Sequence, residues 1–143
     1  MNRLAEILEE KGRDLLEIDA DASVFEAVQL MVEMNVGSLL VTEGGEITGI
    51  VTERDYLRRA ALEGRPDKET TVREIMSSPL LVATPETTVD ECMALMTDRR
   101  IRHVPVVEDG KVVGLVSIGD LVKFKSKLQT FEIQYLTNYI TAG

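Results

Sequence analysis

The chain is poor in the residues that most often build catalytic and metal sites. Its 143 residues include one histidine, His103, one cysteine, Cys92, and no tryptophan, and aromatic residues make up 4% of the total. A single cysteine cannot form a disulfide within the chain, and its place on the apolar face of a predicted helix favours packing over reactivity. A metal site would need more ligands than this histidine and cysteine provide.

Two further scarcities limit the partners that the chain can have. No apolar run approaches the roughly 18 residues of a membrane span, and acidic residues stand near the start, where a secretory signal would have an apolar core. We therefore expect a cytoplasmic protein without a membrane partner. Basic residues are outnumbered, 16 against 25 acidic ones, and the formal net charge of −9 argues against a nucleic-acid partner.

The motifs of common enzyme classes are also missing. The sequence has no glycine-rich dinucleotide or phosphate loop. Ser117 lacks the glycine two positions earlier that a nucleophile elbow requires, and one histidine would have to serve every base role. The sequence thus predicts a protein that is not an enzyme and has no catalytic cofactor.

What the chain does contain is an internal repeat. Residues 18–57 and 83–122 align without a gap at an offset of 65, with ten identities in forty positions, among them Gly49 with Gly114 and Asp55 with Asp120. A short apolar helical pattern precedes each copy, but at an offset of 68, so the first copy holds about three extra residues near position 12. Such self-similarity predicts two copies of one structural unit that bury a shared face.

Each copy shows the same succession of local patterns. A short strand leads to a helix with a capping box, two strands joined by a glycine turn follow, and a second helix closes the copy. The predicted fold is therefore α/β, with a β-α-β-β-α unit occurring twice and pseudo-twofold symmetry between the copies. The predicted strands are 15–18, 38–42 and 47–51 in the first copy, and 80–83, 103–107 and 112–116 in the second.

The polar stretch 63–69 separates the copies. We expect a first repeat with its N-terminal helix at 1–65 and a second repeat at 66–127. In the remaining segment, 128–143, three aromatic residues recur at helical spacing, which predicts an amphipathic C-terminal helix. Its apolar face either packs back on its own module or forms a dimer contact, and we favour the dimer.

In each copy, a strand ends at a hydroxyl residue and an aspartate follows three positions later, where a helix begins. The pairs are Thr52 with Asp55 and Ser117 with Asp120. A helix N-terminus has unpaired N–H groups and about half a positive charge, so it either binds an anion or is capped by its own side chains. Capping explains one such pair, whereas repetition at a fixed offset favours an anion site. The densest basic run of the chain is 99–103, and its last two residues, Arg102 and His103, lie at the entrance of a predicted strand. Arg99 and Arg100 also fit a solvated helix end.

Together these motifs resemble the CBS domain family, and specifically a stand-alone tandem CBS pair, or Bateman module. The resemblance covers about residues 4 to 125 and also rests on the stretches 101–106 (Ile-Arg-His-Val-Pro-Val) and 72–76 (Val-Arg-Glu-Ile-Met). It implies a regulatory module that binds an adenine nucleotide, AMP, ADP, ATP or NAD(H), in clefts between the two repeats. The residues that it places at the ligand are Ile18, Ser38, Thr52, Arg54, Asp55, Ser77, Ala83, Arg102, His103, Ser117 and Asp120.

The resemblance also implies a role for most of these residues. The two aspartates accept hydrogen bonds from ribose hydroxyls, Thr52 and Ser117 donate to phosphate, and Arg102 and His103 neutralise phosphate charge. Ile18, Ser77 and Ala83 lie where family members line the adenine pocket. The first copy has Gly37 and Ser38 in place of Arg102 and His103, so we expect the two clefts to differ in phosphate affinity.

Our interpretation is a homodimeric sensor that regulates an unidentified protein target in trans, since no effector domain is recognisable in the chain. Two alternatives stay open. One is a sensor of S-adenosylmethionine, and the other is a structural dimerisation module whose clefts bind no ligand.

Overall fold

The computed structural model describes residues 2–78 and 80–127, which fall into two compact units. Asp14–Val82 forms one, which we call the central unit. Residues 2–13 and 83–127 form the other, which we call the discontinuous unit. The C-terminal helix predicted at 128–143 lies outside the described residues.

The central unit is a three-stranded sheet with helices packed on it. The strand order is β1-β2-β3, with β1 parallel to β2 and β2 antiparallel to β3. Its core consists of apolar residues from the sheet and from the helices, including Ala27, Val41, Val51 and Ile75. After α1 of the other unit, the elements are β1 (Glu17–Asp19), α2 (Val24–Met34), β2 (Ser38–Glu43), β3 (Glu46–Thr52), α3 (Glu53–Tyr56), a π-helical turn (Leu57–Ala61) and α4 (Val72–Ile75).

The discontinuous unit repeats this plan with one strand fewer. Its hairpin of β4 and β5 is antiparallel, and its register matches that of β2 and β3, with an irregularity at the equivalent place. Cys92 and Met96 of α5 are buried against this hairpin, as their helical spacing predicts. The elements are α1 (Leu4–Lys11), α5 (Val89–Arg99), β4 (His103–Glu108), β5 (Lys111–Ser117) and a helix over residues 118–127, which we call α6.

The two helices that precede the repeats are exchanged between the compact units. Leu4, Ile7 and Leu8 of α1 are buried in the core of the discontinuous unit, with the second repeat. Val72 and Ile75 of α4 are buried in the core of the central unit, with the first repeat. The boundaries at 1–65 and 66–127 therefore describe the sequence repeat, whereas each compact unit combines one repeat with the helix that precedes the other.

The strand predicted at 80–83 is reduced to a single parallel bridge between Ala83 and β4. In the central unit, the N–H groups of Leu40 and Ala20 each donate a hydrogen bond of 3.0 Å that extends the pairing of β1 with β2. Prolines, Pro105 and Pro85, stand at the equivalent positions of the second repeat. Because proline has no N–H, both flanking bonds are lost and the ladder is cut to one bridge.

Candidate functional site

In the central unit, the predicted site residues meet at the junction of β3 and α3. Thr52 is the last residue of β3 and lies opposite Ser38, the first residue of β2. Thr52 Oγ1 accepts the N–H of Asp55 at 3.1 Å, and Asp55 Oδ2 accepts the N–H of Thr52 at 3.0 Å. These reciprocal bonds form a capping box with aspartate in place of glutamate. Asp55 is buried, with 9% of its surface exposed.

The other oxygen of Asp55 is held by Ser77, whose Oγ donates to Oδ1 at 3.2 Å. Ser77 lies close because its backbone pairs with β3. Its N–H donates to the Ile50 carbonyl at 2.8 Å, and its own carbonyl accepts the Ile50 N–H at 3.1 Å. Gly49 permits this approach, since a Cβ at that position would lie 2.9 Å from the Ser77 carbonyl oxygen. We call Ser38, Thr52, Asp55 and Ser77 the Asp55 cluster.

Arg59 supports the segment that carries Ser77. It belongs to the π-helical turn, and its Nη1 donates to the carbonyls of Ile75 at 3.2 Å and Met76 at 3.0 Å. These are the last two carbonyls before Ser77. The guanidinium group therefore fixes the end of α4, and with it the position of Ser77 beside Asp55. Arg59 is not among the site residues expected from the sequence, although it follows Asp55 by four positions. π-Helical turns of this kind are frequent at functional sites.

In the discontinuous unit, the predicted residues meet at the equivalent junction of β5 and α6. Ser117 ends β5 and lies opposite His103, the first residue of β4. Its N–H donates to Asp120 Oδ2 at 2.8 Å, and its Oγ accepts the Asp120 N–H at 3.1 Å. Arg102 is exposed, and its carbonyl accepts the N–H of Ile118 at the start of α6, at 2.8 Å. We call Arg102, His103, Ser117 and Asp120 the Asp120 cluster.

A residue that the sequence analysis did not assign to the site completes this cluster. Lys11, the last residue of α1, donates from Nζ to Asp120 Oδ2 at 2.6 Å and to the Leu115 carbonyl at 2.7 Å. Partial burial acts to raise the pKa of Asp120, but the hydrogen bonds from Lys11 and Ser117, with the charge of Lys11, outweigh it and lower the pKa below its ordinary value. Asp120 is therefore ionised at neutral pH.

Lys11 and Ser77 occupy corresponding places. Leu115 is the repeat equivalent of Ile50, and Asp120 is the equivalent of Asp55. Ser77 bonds its strand carbonyl through a backbone N–H and its aspartate through a hydroxyl. Lys11 bonds the equivalent strand carbonyl and the equivalent aspartate through one ammonium group. It reaches Oδ2 of Asp120, which also accepts the Ser117 N–H, whereas Ser77 reaches the other oxygen of Asp55. The described donors to the Asp55 carboxylate are thus neutral, whereas those to Asp120 include a cation.

The remaining predicted site residues lie elsewhere in the two units. Ile18 is on β1 and packs against the core of the central unit, and Ala83 is buried beside β4 in the discontinuous unit. Arg54 is exposed on α3, next to Asp55 in sequence. Among the described bonds, none joins Ile18 or Ala83 to either aspartate.

The described residues, 2–78 and 80–127, contain neither a cluster of metal ligands nor a membrane-spanning helix. No three side chains of histidine, cysteine, aspartate or glutamate come together there as metal ligands would. No helix in those ranges has the length and apolar character that crossing a membrane requires.

The repeated hairpin, the helix that follows it and the hydroxyl–aspartate pair at their junction define a tandem α/β module. Residues 6–62 and 72–127 each match the family model of the CBS domain. The chain therefore belongs to the CBS domain family and is a tandem CBS-domain protein, a class that generally serves as regulatory or signal-transduction modules. This confirms the family and the fold class expected from the motifs.

Several known proteins are similar to the chain over most of its length. It is 42% identical over 149 residues to the CBS domain-containing protein CBSX3, mitochondrial, of Arabidopsis thaliana, and the match covers 98% of this chain and 72% of that protein. A solved CBS-domain protein from Burkholderia ambifaria MC40-6 is 47% identical, with a TM-score of 0.82 over 85% of this chain and 91% of that one. A hexameric CBS-CP12 protein from bloom-forming cyanobacteria is 32% identical, with a TM-score of 0.76 over 85% and 70% of the two chains.

Proposed function

We propose that this protein senses an adenine nucleotide, AMP, ADP, ATP or NAD(H), and passes its occupancy to a protein target in trans. The observation that carries the proposal is the pairing, in each unit, of a hydroxyl residue and a carboxylate at the junction of a strand and a helix. A carboxylate accepts hydrogen bonds from adjacent ribose hydroxyls, and a hydroxyl beside backbone N–H groups donates to phosphate.

The Asp120 cluster is the stronger candidate for a ligand with phosphate groups. Arg102 and His103 lie at the entrance of β4, next to Ser117, and Arg offers a rigid fork of donors that suits phosphate oxygens. In the Asp55 cluster, Ser38 stands where His103 stands in the second repeat, and it is buried. Unequal affinity of the two clusters for the same nucleotide is therefore part of the proposal.

Regulation in trans requires that ligand binding favours one arrangement of the protein over another. We propose a cytoplasmic homodimer without catalytic activity as the regulatory species. The hexameric assembly of the CBS-CP12 relative is a precedent for assembly in this family.

Native mass spectrometry of the purified protein is the first test, because it reports the assembly mass and any retained nucleotide together. Thermal unfolding with AMP, ATP and NADH then gives the ligand preference, since a ligand at 100 times its Kd adds about 2.7 kcal/mol to the folded state. We expect Asp120→Ala and Asp55→Ala each to remove part of this shift. Asp98→Ala, which changes an exposed aspartate at the end of α5, serves as the matched control. Incubation with ATP should give no product.

One observation supports the alternative of a structural dimerisation module. Both aspartates already accept the N–H of their capping residue, and capping alone is a complete role for such a side chain. In that case no nucleotide would shift the unfolding temperature, and both alanine variants would lose stability only. A shift with S-adenosylmethionine but not with the nucleotides would instead favour the third interpretation.

A further inference from the structure

Lys11 is linked to Asp120 across 109 positions of sequence, and no motif of the repeat includes it. Its backbone is held in place because Leu4, Ile7 and Leu8 of the same helix are buried in the core of the discontinuous unit. Its ammonium group donates to the carboxylate and to the Leu115 carbonyl. These contacts use two of its three N–H groups.

A carboxylate that binds adjacent hydroxyl groups has to stay ionised and keep one orientation. In the Asp55 cluster, Ser77 fixes the orientation through its hydroxyl, and the paired backbone of Ser77 and Ile50 fixes the serine. In the Asp120 cluster, the bond from Lys11 to Oδ2 fixes the orientation, and the second bond, to the strand carbonyl, fixes the lysine. The bonds from Lys11 Nζ and from the Ser117 N–H both reach Oδ2 of Asp120, so this oxygen is held from two sides.

We propose that Lys11 is the positioning residue of the nucleotide site in the Asp120 cluster, where it orients Asp120 for the ribose hydroxyls through Oδ2, while Ser77 orients Asp55 through Oδ1. This inference rests on the proposed function and adds a determinant to it. The N-terminal helix thereby belongs to the ligand site of the second repeat, although it precedes the first repeat in sequence. Loss of the Lys11 ammonium group weakens nucleotide binding at the Asp120 cluster and leaves binding at the Asp55 cluster unchanged.

The effect is moderate because the pair is partly solvated, with 40% of the Lys11 side chain and 24% of the Asp120 side chain exposed. A charge-assisted hydrogen bond to a half-buried carboxylate is stronger than a neutral one, while water screens part of the attraction. We expect a loss of about tenfold in affinity, which is the usual size of one such bond after screening.

The test is calorimetric titration with AMP and with ATP in an Asp55→Asn background, where only the Asp120 cluster retains its carboxylate. Asparagine keeps an acceptor for the Thr52 N–H, so the cap of α3 is preserved. In this background Lys11→Met should weaken binding by about tenfold. Lys11→Arg, which restores the charge and the N–H donors, should recover part of the affinity that Lys11→Met loses.

Two controls separate positioning from folding. Lys127→Met removes a cation that pairs with Glu10 of the same helix at 3.1 Å and should leave the affinity unchanged. In an Asp120→Asn background the dependence should reverse, so that Ser77→Ala weakens binding and Lys11→Met does not. Unfolding temperatures of all variants verify that α1 is still packed, and Lys11→Gln replaces Lys11→Met if the latter does not fold.

The outcomes distinguish this inference from the function on which it rests. If the parent binds AMP or ATP and Lys11→Met binds it equally well, the role of Lys11 is refuted and the proposed function stands. The role is also refuted if Lys11→Arg loses affinity as Lys11→Met does, because the cation would then not be the cause. If the wild-type protein binds neither nucleotide, the proposed function fails and this inference fails with it.

Discussion

Adding one methyl group at Gly49 tests how closely the segment after α4 packs on β3. A Cβ at this position would lie 2.9 Å from the Ser77 carbonyl oxygen and 3.0 Å from Met76 Sδ. The carbonyl cannot simply retreat, because it accepts the Ile50 N–H and its residue donates back to Ile50. Gly114 is the equivalent residue of the second repeat. There an added Cβ would lie 2.5 Å from the end of the Leu8 side chain instead of close to a backbone carbonyl.

The expected cost follows from two opposing effects. Overfilling a packed site costs about 1–3 kcal/mol, because neighbouring atoms must shift. Alanine restricts the unfolded chain more than glycine does, which offsets about 0.4–1 kcal/mol of that cost. We therefore expect Gly49→Ala to lower the free energy of unfolding by about 1–2 kcal/mol and to draw Ser77 away from Asp55.

Urea unfolding followed by circular dichroism measures the loss of unfolding free energy. Double variants identify which atoms obstruct the new methyl group. Leu8→Ala should abolish the cost of Gly114→Ala, because it removes the atoms that the new methyl group meets. Met76→Ala should leave most of the cost of Gly49→Ala, because the Ser77 carbonyl remains. If Gly49→Ala is as stable as the wild type, or if Met76→Ala restores its stability, the Ser77 carbonyl is not the obstacle.

Three further predictions follow from single side chains. Thr48 Oγ1 is buried and has no hydrogen-bond partner among the described residues, while Val113 stands at the equivalent position of the second repeat. Thr48→Val should therefore raise the free energy of unfolding by about 1 kcal/mol. A lower free energy of unfolding in urea would show that the hydroxyl is satisfied. Burial raises the pKa of Cys92 to about 11, so a thiol reagent should modify it only in the unfolded protein, and rapid labelling of the native protein would contradict its packing. Because the folded-state pKa of Asp120 lies below its ordinary value, its ion pair stabilises the fold above the unfolded-state pKa and is lost as the pH falls through the folded-state pKa. In Lys11→Met the carboxyl resonance of Asp120 should titrate at higher pH, and an unchanged titration would show that Lys11 does not set this pKa.

The elements that could be predicted from the sequence are those with local signals. The helices α2 and α5 follow from apolar spacing and from the N-caps Ser23 and Thr88, which the structure confirms. Both hairpins follow from glycine turns between alternating strands. The junctions at Thr52 and Ser117 were predicted for the same reason, because strand end, cap and helix are neighbours in the chain.

What could not be predicted depends on contacts between distant segments. The packing of α1 with the second repeat carries no local signal, and with it the bond from Lys11 to Asp120 stays hidden. The one trace in the sequence is the change of offset from 65 to 68 near Lys11. The loss of the strand at 80–83 did have a signal, since Pro85 and Pro105 stand where ladder donors are needed.

The exchange of α1 and α4 has a consequence for how the protein is made. Ribosomes release a chain from its N-terminus, so every partner of the central unit is available once residue 82 has emerged. The apolar face of α1 has to wait longer, because its core neighbours run from Ala83 to Leu121. A nascent chain paused between these points would leave Leu4, Ile7 and Leu8 without the core that covers them in the complete chain, and transiently exposed apolar surface of this kind promotes aggregation during synthesis.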